Sequence, residues 1–444
     1  MGPYTKEDNI MSGFQIITTG IFITLIVVGV GIFSLFGGVG GSGGAGVVVV
    51  WGTIDQSTMD AVLTRLITDT KDASFRDVQY IAKSPASYQA DLINAIASGQ
   101  GPDLIFLSEA NIGALSDKIM GIPYNAVSQS AFVNSYVDIG QLFLTPQGIL
   151  ALPLTVDPLV MYWNRDTFTS AGLSEPPKTW NDFITLAPRL TSLDAGATVR
   201  KSTVAMGTWD NISHAKAVLS ALMMQTGDPI TSRNAAGALV SVLGAKAESQ
   251  SDSPAAGALR FYTDFANPSK TTYSWNRSLP NSYSAFTAGD LAVYFGLASE
   301  YRSIAERNPN LRFGVATLPQ LQGASAKITS GTLQGLAIAR GALNPSGALV
   351  IAQKLTSAAA ALALAQQLGL PPVRRDVRVD TSSSAAAEVF VQSALMARSW
   401  ADPSASATNA IFKSMIESVA AGRSNPEQAI FDAAGALRQL LPTQ

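Results

Sequence analysis

Apolar and polar residues alternate along the first third of the chain in blocks that predict strands followed by helices. Residues 47–51 form an unbroken apolar run rich in valine, typical of a strand buried on both faces of a parallel sheet. Ser57 and Asp60 then match a capping box, and apolar positions between 59 and 67 recur at helical spacing. The runs 78–81 and 104–107 predict two further strands. This alternation predicts an α/β fold with a parallel sheet covered by helices.

The second part of the chain continues this pattern and then becomes helical. Residues 148–154 and 159–163 predict two strands, separated by Asp157 and Pro158. Alanine-rich sequence beyond residue 347 predicts a helical layer, whose last helix begins at Asn425, just before a proline. A chain of 444 residues exceeds one ordinary domain of about 100–200 residues, so at least two globular units are expected.

The amino-terminal region predicts a membrane anchor. Residues 14–36 form an uncharged, mostly apolar segment of 23 residues. As a helix it would be about 35 Å long, enough to cross a hydrocarbon layer of about 30 Å. A cleaved signal peptide has an apolar region of about 7–15 residues, so the greater length favours an uncleaved transmembrane helix. Residues 1–13 would be a short cytoplasmic tail, and the glycine-rich stretch 37–46 a flexible tether.

Composition removes several classes of function. The 30 basic and 32 acidic residues give a net charge of −2, so the chain has no basic field that would attract nucleic acid. The absence of cysteine excludes disulfides, thiolate metal sites and cysteine nucleophiles. His214 is the only histidine, and we interpret it as a surface or capping residue. No catalytic residue, metal site or cofactor is expected.

Trp51 and eight short segments form an ordered set of motifs. The segments are 98–105, 151–154, 161–168, 171–173, 176–183, 285–292, 314–319 and 420–423. The densest of them, 161–168, reads MYWNRDTF. In this order and spacing they resemble the extracellular solute-binding proteins of ABC importers, in the sugar-type family that includes maltose-binding protein.

The resemblance implies a two-lobe, type II periplasmic-binding-protein-like fold preceded by the transmembrane helix. The first lobe would comprise 47–155 and 320–370, and the second 156–319 and 371–444. Crossing strands would form the hinge, and the lobes would close on a small solute such as a sugar or oligosaccharide. The expected protein is a membrane-tethered monomer whose bulk lies outside the cytoplasm, where ABC permease subunits would recognise its closed form.

Candidate ligand contacts follow from the ends of the predicted strands, where α/β proteins place their ligand clefts. Carboxylates accept pairs of hydroxyl hydrogen bonds, and aromatic rings cover the apolar faces of sugars. The candidates are Trp51, Asp55, Glu109, Asp157, Trp209, Trp275 and Trp400. Asp55 and Asp157 could instead be cap or turn carboxylates. Trp209 matches the family's second-lobe stacking position, with core packing as the alternative.

The other tryptophans divide into two groups. Trp275 and Trp400 lie in polar sequence, which predicts exposed indoles. Trp163 and Trp180 lie within the family's structural motifs and are predicted to be core residues. The chain departs from maltodextrin-binding members of the family near Leu107, Leu297 and Asn409, where those members carry stacking aromatic residues.

Two other functions stay open at this stage. An extracytoplasmic glycan hydrolase would use two carboxylates among Asp55, Glu109 and Asp157. A ligand-sensing subunit would report the bound solute to a membrane receptor rather than to an importer. The binding protein of an importer is our main hypothesis.

Overall fold

The computed structural model describes residues 45–246, 253–324, 326–382 and 384–441. The predicted cytoplasmic tail, the anchor 14–36 and most of the tether lie outside these residues. Within them, no single helix has both the length and the apolar composition needed to cross a bilayer. The consecutive helices Pro345–Leu355 and Ala358–Leu368 meet these criteria only as a pair, and they are bent by 64° relative to each other.

The described residues form short strands and helices that alternate along most of the chain. The strands are β1 (Val48–Gly52), β2 (Val78–Ala82), β3 (Leu104–Ser108), β4 (Ile119–Met120), β5 (Leu144–Thr145), β6 (Gly148–Ile149), β7 (Leu152–Asn164), β8 (Ser192–Leu193), β9 (Val199–Val204), β10 (Thr231–Arg233), β11 (Leu239–Ser241), β12 (Leu291–Leu297), β13 (Phe313–Ala316), β14 (Thr329–Ala339) and β15 (Ala397–Arg398). The α-helices are α1 (Gln56–Thr70), α2 (Tyr88–Ala97), α3 (Ile112–Leu115), α4 (Gln129–Ser135), α5 (Arg165–Ser170), α6 (Asp182–Leu190), α7 (Ala215–Gln225), α8 (Pro254–Asp264), α9 (Ser282–Ala288), α10 (Glu300–Arg307), α11 (Pro345–Leu355), α12 (Ala358–Leu368), α13 (Ala385–Met396), α14 (Ala405–Ala420) and α15 (Pro426–Gln439).

One mixed sheet runs through the molecule. Its main strands lie in the order β2-β1-β3-β14-β7-β12-β9-β8. β1 pairs in parallel with β2 and β3, whereas β14 is antiparallel to both β3 and β7. The predicted α/β class and the first three predicted strands are confirmed.

Local capping explains where the helices begin. The carboxylate of Asp55 accepts hydrogen bonds from the backbone N–H groups of Ser57 and Thr58, so α1 begins at Gln56. The predicted capping box at Ser57 is therefore wrong, because Asp55 already satisfies the free N–H groups of the first turn. At the other end of the chain, the side chain of Asn425 caps α15, as predicted.

Strand β7 is continuous where the sequence predicts a break. Its first half pairs with β14, from Leu152 to Pro158, and its second half pairs with β12 and β13. Pro158 is tolerated because it lies where the strand exchanges one set of partners for another. Its carbonyl accepts the N–H of Ala298 at 3.0 Å. A single strand therefore passes from one half of the sheet to the other.

The buried apolar residues form two separate cores. One surrounds β1, β3 and β14 and ends on β7 at Val156. The other surrounds β9 and β12 and begins on β7 at Leu159. We call the units around these cores the first and the second lobe. The fold therefore consists of two lobes whose connection includes strand β7.

Tyr88 holds β1 and β3 together just beyond their last paired residues. Its buried hydroxyl accepts the N–H of Phe106 at 2.8 Å, and its single hydrogen is within reach of two carbonyl oxygens, those of Phe106 at 2.9 Å and Trp51 at 3.2 Å. The side chain is 4% exposed, so water cannot replace these bonds easily.

We expect Tyr88→Phe to lower the free energy of unfolding by about 1–3 kcal/mol, because it leaves the buried N–H of Phe106 without a partner. Urea unfolding followed by fluorescence measures the change. Tyr283→Phe is the matched control, because that hydroxyl bonds Ser303 at the surface, and its effect should stay within about 0.5 kcal/mol. Equal effects of the two substitutions would contradict the assigned role of Tyr88.

Candidate ligand-binding cleft

A cavity of about 610 Å³ lies where the two lobes meet. The first lobe contributes Glu109 and Ala110, which follow β3, and β14 contributes its residues 330–332. The second lobe contributes the loop before α7, the first turns of α7 and the loop that precedes α14. This volume lies within the range of about 300–1,000 Å³ that is usual for small-molecule sites.

Glu109 lies at the point where three chain segments converge on this cavity. One of its carboxylate oxygens accepts the N–H of Leu333 on β14 at 2.7 Å, and its carbonyl accepts the N–H of Asp402 at 3.2 Å. Burial raises the pKa of the Glu109 carboxyl to about 7, opposed by the Leu333 hydrogen bond and by the charge of Lys216. Near neutral pH this carboxyl can therefore donate as well as accept a hydrogen bond.

An ion pair occupies the second-lobe wall. The Nζ of Lys216 lies 2.6 Å from Oδ2 of Asp402 and 2.7 Å from the hydroxyl of Thr408. The same ammonium lies 5.1 Å from the ring centroid of Trp400, which stacks on Phe412 with an interplanar angle of 12°. The pair is therefore held by an aromatic layer as well as by hydrogen bonds.

Trp209 is the more accessible tryptophan of the cavity wall. It packs against the second core while remaining partly exposed, whereas Trp400 is 5% exposed and donates its indole N–H to Ser220. Polar side chains line the same cavity, among them those of Ser213 and Asn281, which are exposed. An indole face beside amide and hydroxyl groups suits a solute that is apolar on one face and polar at its edges.

His214 lies on the cavity wall and contacts α10, the helix that follows β12. Its Nε2 lies 2.9 Å from a carboxylate oxygen of Glu300, at the first residue of α10. The other oxygen of Glu300 accepts the hydroxyl of Tyr294 at 2.9 Å. His214 occupies the N-cap position of α7, but its side chain makes no capping hydrogen bond. The interpretation of His214 as a capping residue is therefore correct for its position and wrong for its side chain, and the place of its ring on the cavity wall was not predicted.

Three of the seven predicted contact residues come together in the cavity. Glu109, Trp209 and Trp400 line it. The other four, Trp51, Asp55, Asp157 and Trp275, are not among its lining residues. Of the three carboxylates named for a hydrolase, the cavity therefore contains only Glu109. Contact of the seven residues with a ligand stays a prediction.

The carboxylates outside the cavity have structural partners. Asp55 caps α1. Asp157 lies on β7 and accepts the N–H of Ser299 at 3.1 Å. Burial raises the pKa of the Asp157 carboxyl to about 6, opposed by that hydrogen bond. The cap alternative describes the observed contacts of Asp55, whereas Asp157 lies within strand β7 and bonds Ser299 at the start of α10, not a residue of a local turn.

The tryptophans outside the cavity have different environments. Lys83 lies 3.7 Å above the ring of Trp51, which is partly buried. Trp275 is 1% exposed, and its indole N–H donates to Asn211 at 3.1 Å.

The exposure predicted for Trp275 and Trp400 is therefore wrong. Polar residues next to them in the sequence bond to groups inside the protein, so polar neighbours do not place these indoles in solvent. Trp180 is buried as predicted, and Trp163 packs against the same core while partly exposed.

The raised pKa of Glu109 predicts how stability depends on pH. The unfolded carboxyl loses its proton near pH 4.5, whereas the folded one keeps it to about pH 7. The stabilisation linked to this proton is complete below pH 4.5 and is lost as the pH rises through about 7. We expect the ligand-free wild type to lose about 1–3 kcal/mol relative to Glu109→Gln between pH 4.5 and 8.

Urea unfolding across this pH range measures the difference. Asp55→Asn is the control, because hydrogen bonds from Ser57 and Thr58 lower the pKa of that carboxyl below its ordinary value of 3.8. The Asp55 carboxyl is therefore ionised in both states above pH 5, and the effect of the control substitution should not change between pH 5 and 8. Parallel pH profiles for wild type and Glu109→Gln would refute the assignment of the slope to Glu109.

Comparisons with known proteins agree with this architecture. No curated protein sequence gives a significant match. A solved cyclo/maltodextrin-binding protein complexed with maltotetraose is similar at a TM-score of 0.70 and 15% identity, over 90% of this chain and 98% of that one. The GacH receptor of Streptomyces glaucescens gives 0.64 and 17%, over 89% and 98%. A solute-binding protein from Thermotoga lettingae, bound with α-D-tagatose, gives 0.62 and 18%, over 89% and 99%.

These likenesses show a shared periplasmic-binding-protein-like fold of two α/β lobes. The sequence itself matches a family model described as bacterial extracellular solute-binding protein over residues 68–391, which is most of the chain. The chain therefore belongs to the family of bacterial extracellular solute-binding proteins.

Proposed function

We propose that the protein captures a saccharide between its lobes and delivers it to the permease subunits of an ABC importer. The observation that carries the proposal is the cavity whose wall is built from both lobes and from β14. A solute seated there touches both units at once, so it favours the closed state through contacts that the open state lacks.

The wall chemistry supports a saccharide. Trp209 offers a ring face, and serine, threonine and asparagine side chains such as Asn281 and Thr332 offer donors and acceptors for hydroxyl groups. The structural relatives hold maltotetraose, acarbose, tagatose and mannotriose in their own sites. These ligands carry many hydroxyl groups, and the present cleft offers hydroxyl partners beside an aromatic surface.

The lobe bounds are part of the proposal. We place the first lobe at 47–155 and 320–370 and the second at 156–319 and 371–444. The two cores support a division on β7 between Val156 and Leu159. Beyond residue 370 the chain contributes to both cores, because Val373, Ala394 and Ala397 pack in the first core and Phe390 and Trp400 in the second.

The cellular arrangement also remains a proposal. The apolar segment 14–36 supports a transmembrane anchor, with 1–13 in the cytoplasm and 37–46 as a tether. A binding protein held in this way outside the cytoplasmic membrane keeps a high effective concentration near its transporter. It would act as a monomer, without catalysis and without a cofactor.

Replacing Trp209 by alanine should weaken binding of a recognised saccharide about tenfold or more, because the solute loses its ring contact. A thermal-shift screen of the full-length protein against neutral mono- and oligosaccharides first identifies the ligand, since a concentration of 100 times Kd adds about 2.7 kcal/mol of stability. Isothermal titration then gives Kd for each variant.

Trp163→Ala is the matched control for that titration. Its ring is also partly buried, but it lies outside the cavity lining and is not a predicted ligand contact. We expect its Kd to stay within about twofold of the wild-type value. Loss of binding in Trp163→Ala with normal binding in Trp209→Ala would place the ligand elsewhere. Saturation by a non-saccharide alone would overturn the proposed ligand class.

A further inference from the structure

Most of the titratable side chains on the cavity wall contact a titratable neighbour of the opposite kind in the same chain. Among the described lining residues, the titratable side chains are Glu109, Asp210, His214, Lys216 and Asp402. Asp210 pairs with Lys413 at 2.6 Å, and His214 contacts Glu300 at 2.9 Å. The solute therefore meets a wall whose ionic groups are already engaged.

Lys216 is the one lysine or arginine among the described residues that line the cavity. Asp402 holds its ammonium at 2.6 Å, and the side chains of the pair are only 21% and 5% exposed. Thr408 takes a second ammonium hydrogen at 2.7 Å. A cation that would otherwise attract a carboxylate or phosphate is thus neutralised by its own neighbour.

The partners of Asp402 fix it in this role. Its Oδ1 accepts the N–H of Ser404 at 3.0 Å, and the hydroxyl of Thr408 lies within 2.9 Å of both carboxylate oxygens. These contacts come from the loop and first turn that lead into α14, so they keep the carboxylate in place when the cavity is empty. An anionic solute would have to displace a buried carboxylate to reach Lys216.

We infer that the cleft selects an uncharged solute, and that Asp402 is the positioning residue that excludes anions by neutralising Lys216. The inference uses the cleft of the proposed function and does not depend on the solute being a saccharide. An anion entering the cavity would lose water without gaining a free cation, and it would lie beside Asp402 and Glu109. A neutral polar solute meets no such penalty.

Inorganic sulfate tests the role of Asp402 without knowledge of the natural ligand. In Asp402→Asn, the released Lys216 should bind sulfate saturably and at least about tenfold more tightly than wild type, as read by tryptophan fluorescence against sodium chloride at equal ionic strength. The double variant Lys216→Met/Asp402→Asn keeps the altered loop but lacks the cation, and it should behave like wild type.

Saturable sulfate binding by the wild type with a Kd below about 1 mM would overturn the inference, whether or not Asp402→Asn folds. Equal sulfate affinity in the single and double variants would overturn the assignment to Lys216 and Asp402. A folded Asp402→Asn that gains no sulfate affinity would do the same. Circular dichroism establishes that each variant is folded.

A charge series separates this inference from the proposed function. Maltotetraitol and maltotetraonate share their glycan and open-chain end and differ in a hydroxymethyl group against a carboxylate. Binding of the first at least about tenfold tighter than the second supports charge selection, and the reverse order overturns it. If neither these nor other saccharides bind, the saccharide proposal fails, and the sulfate comparison still decides the role of Asp402.

Discussion

The hydrogen-bonded ladder along β7 is the constraint on which the structure depends. The strand pairs with β14 in the first lobe and with β12 and β13 in the second. Because it is continuous, it joins the two cores directly, between Val156 and Leu159. The cavity lies between the lobes, beside the first residues of β14. A hinge of this kind lets two packed bodies move without breaking either core.

The same arrangement explains the chemistry of the cleft. Glu109 comes from the end of β3, and Asp402 and Trp400 come from a loop near the end of the chain. They meet because β15 runs parallel to β14 and β3 runs antiparallel to it, so the two strands point towards each other and end opposite Ser330 and Gln334 of β14. Burial there raises the pKa of Glu109, and it also makes an unpaired charge costly. The pairing of Lys216 with Asp402 offsets that cost.

Much of the fold could be predicted from local pattern. The valine run predicts β1 directly, because a short, fully apolar segment is typical of a strand that is buried on both faces of a parallel sheet. The order of short motifs gives the family and the two lobes. The continuity of β7 could not be predicted, because Pro158 signals a break locally and only its change of partners makes it acceptable.

The site was less accessible to sequence reasoning. The rule that ligands lie beyond strand ends found Glu109, and the family motif found Trp209. Lys216 and Asp402 are 186 residues apart, and neither has a local signature, so only the tertiary fold shows that they form a pair. For Trp275 the sequence predicted an exposure that the structure does not have, because polar neighbours can bond inward and leave an indole buried.

The central claim is that the lobes close on a solute held between them. The natural chain has no cysteine, so spin labels can be attached at Gln89→Cys on α2 and Ser278→Cys in the second lobe, both exposed positions. Pulsed electron resonance then measures the distance between the labels with and without saturating ligand. The account predicts a distance distribution that shortens by several ångströms when ligand binds. An unchanged distribution under proven saturation would contradict it.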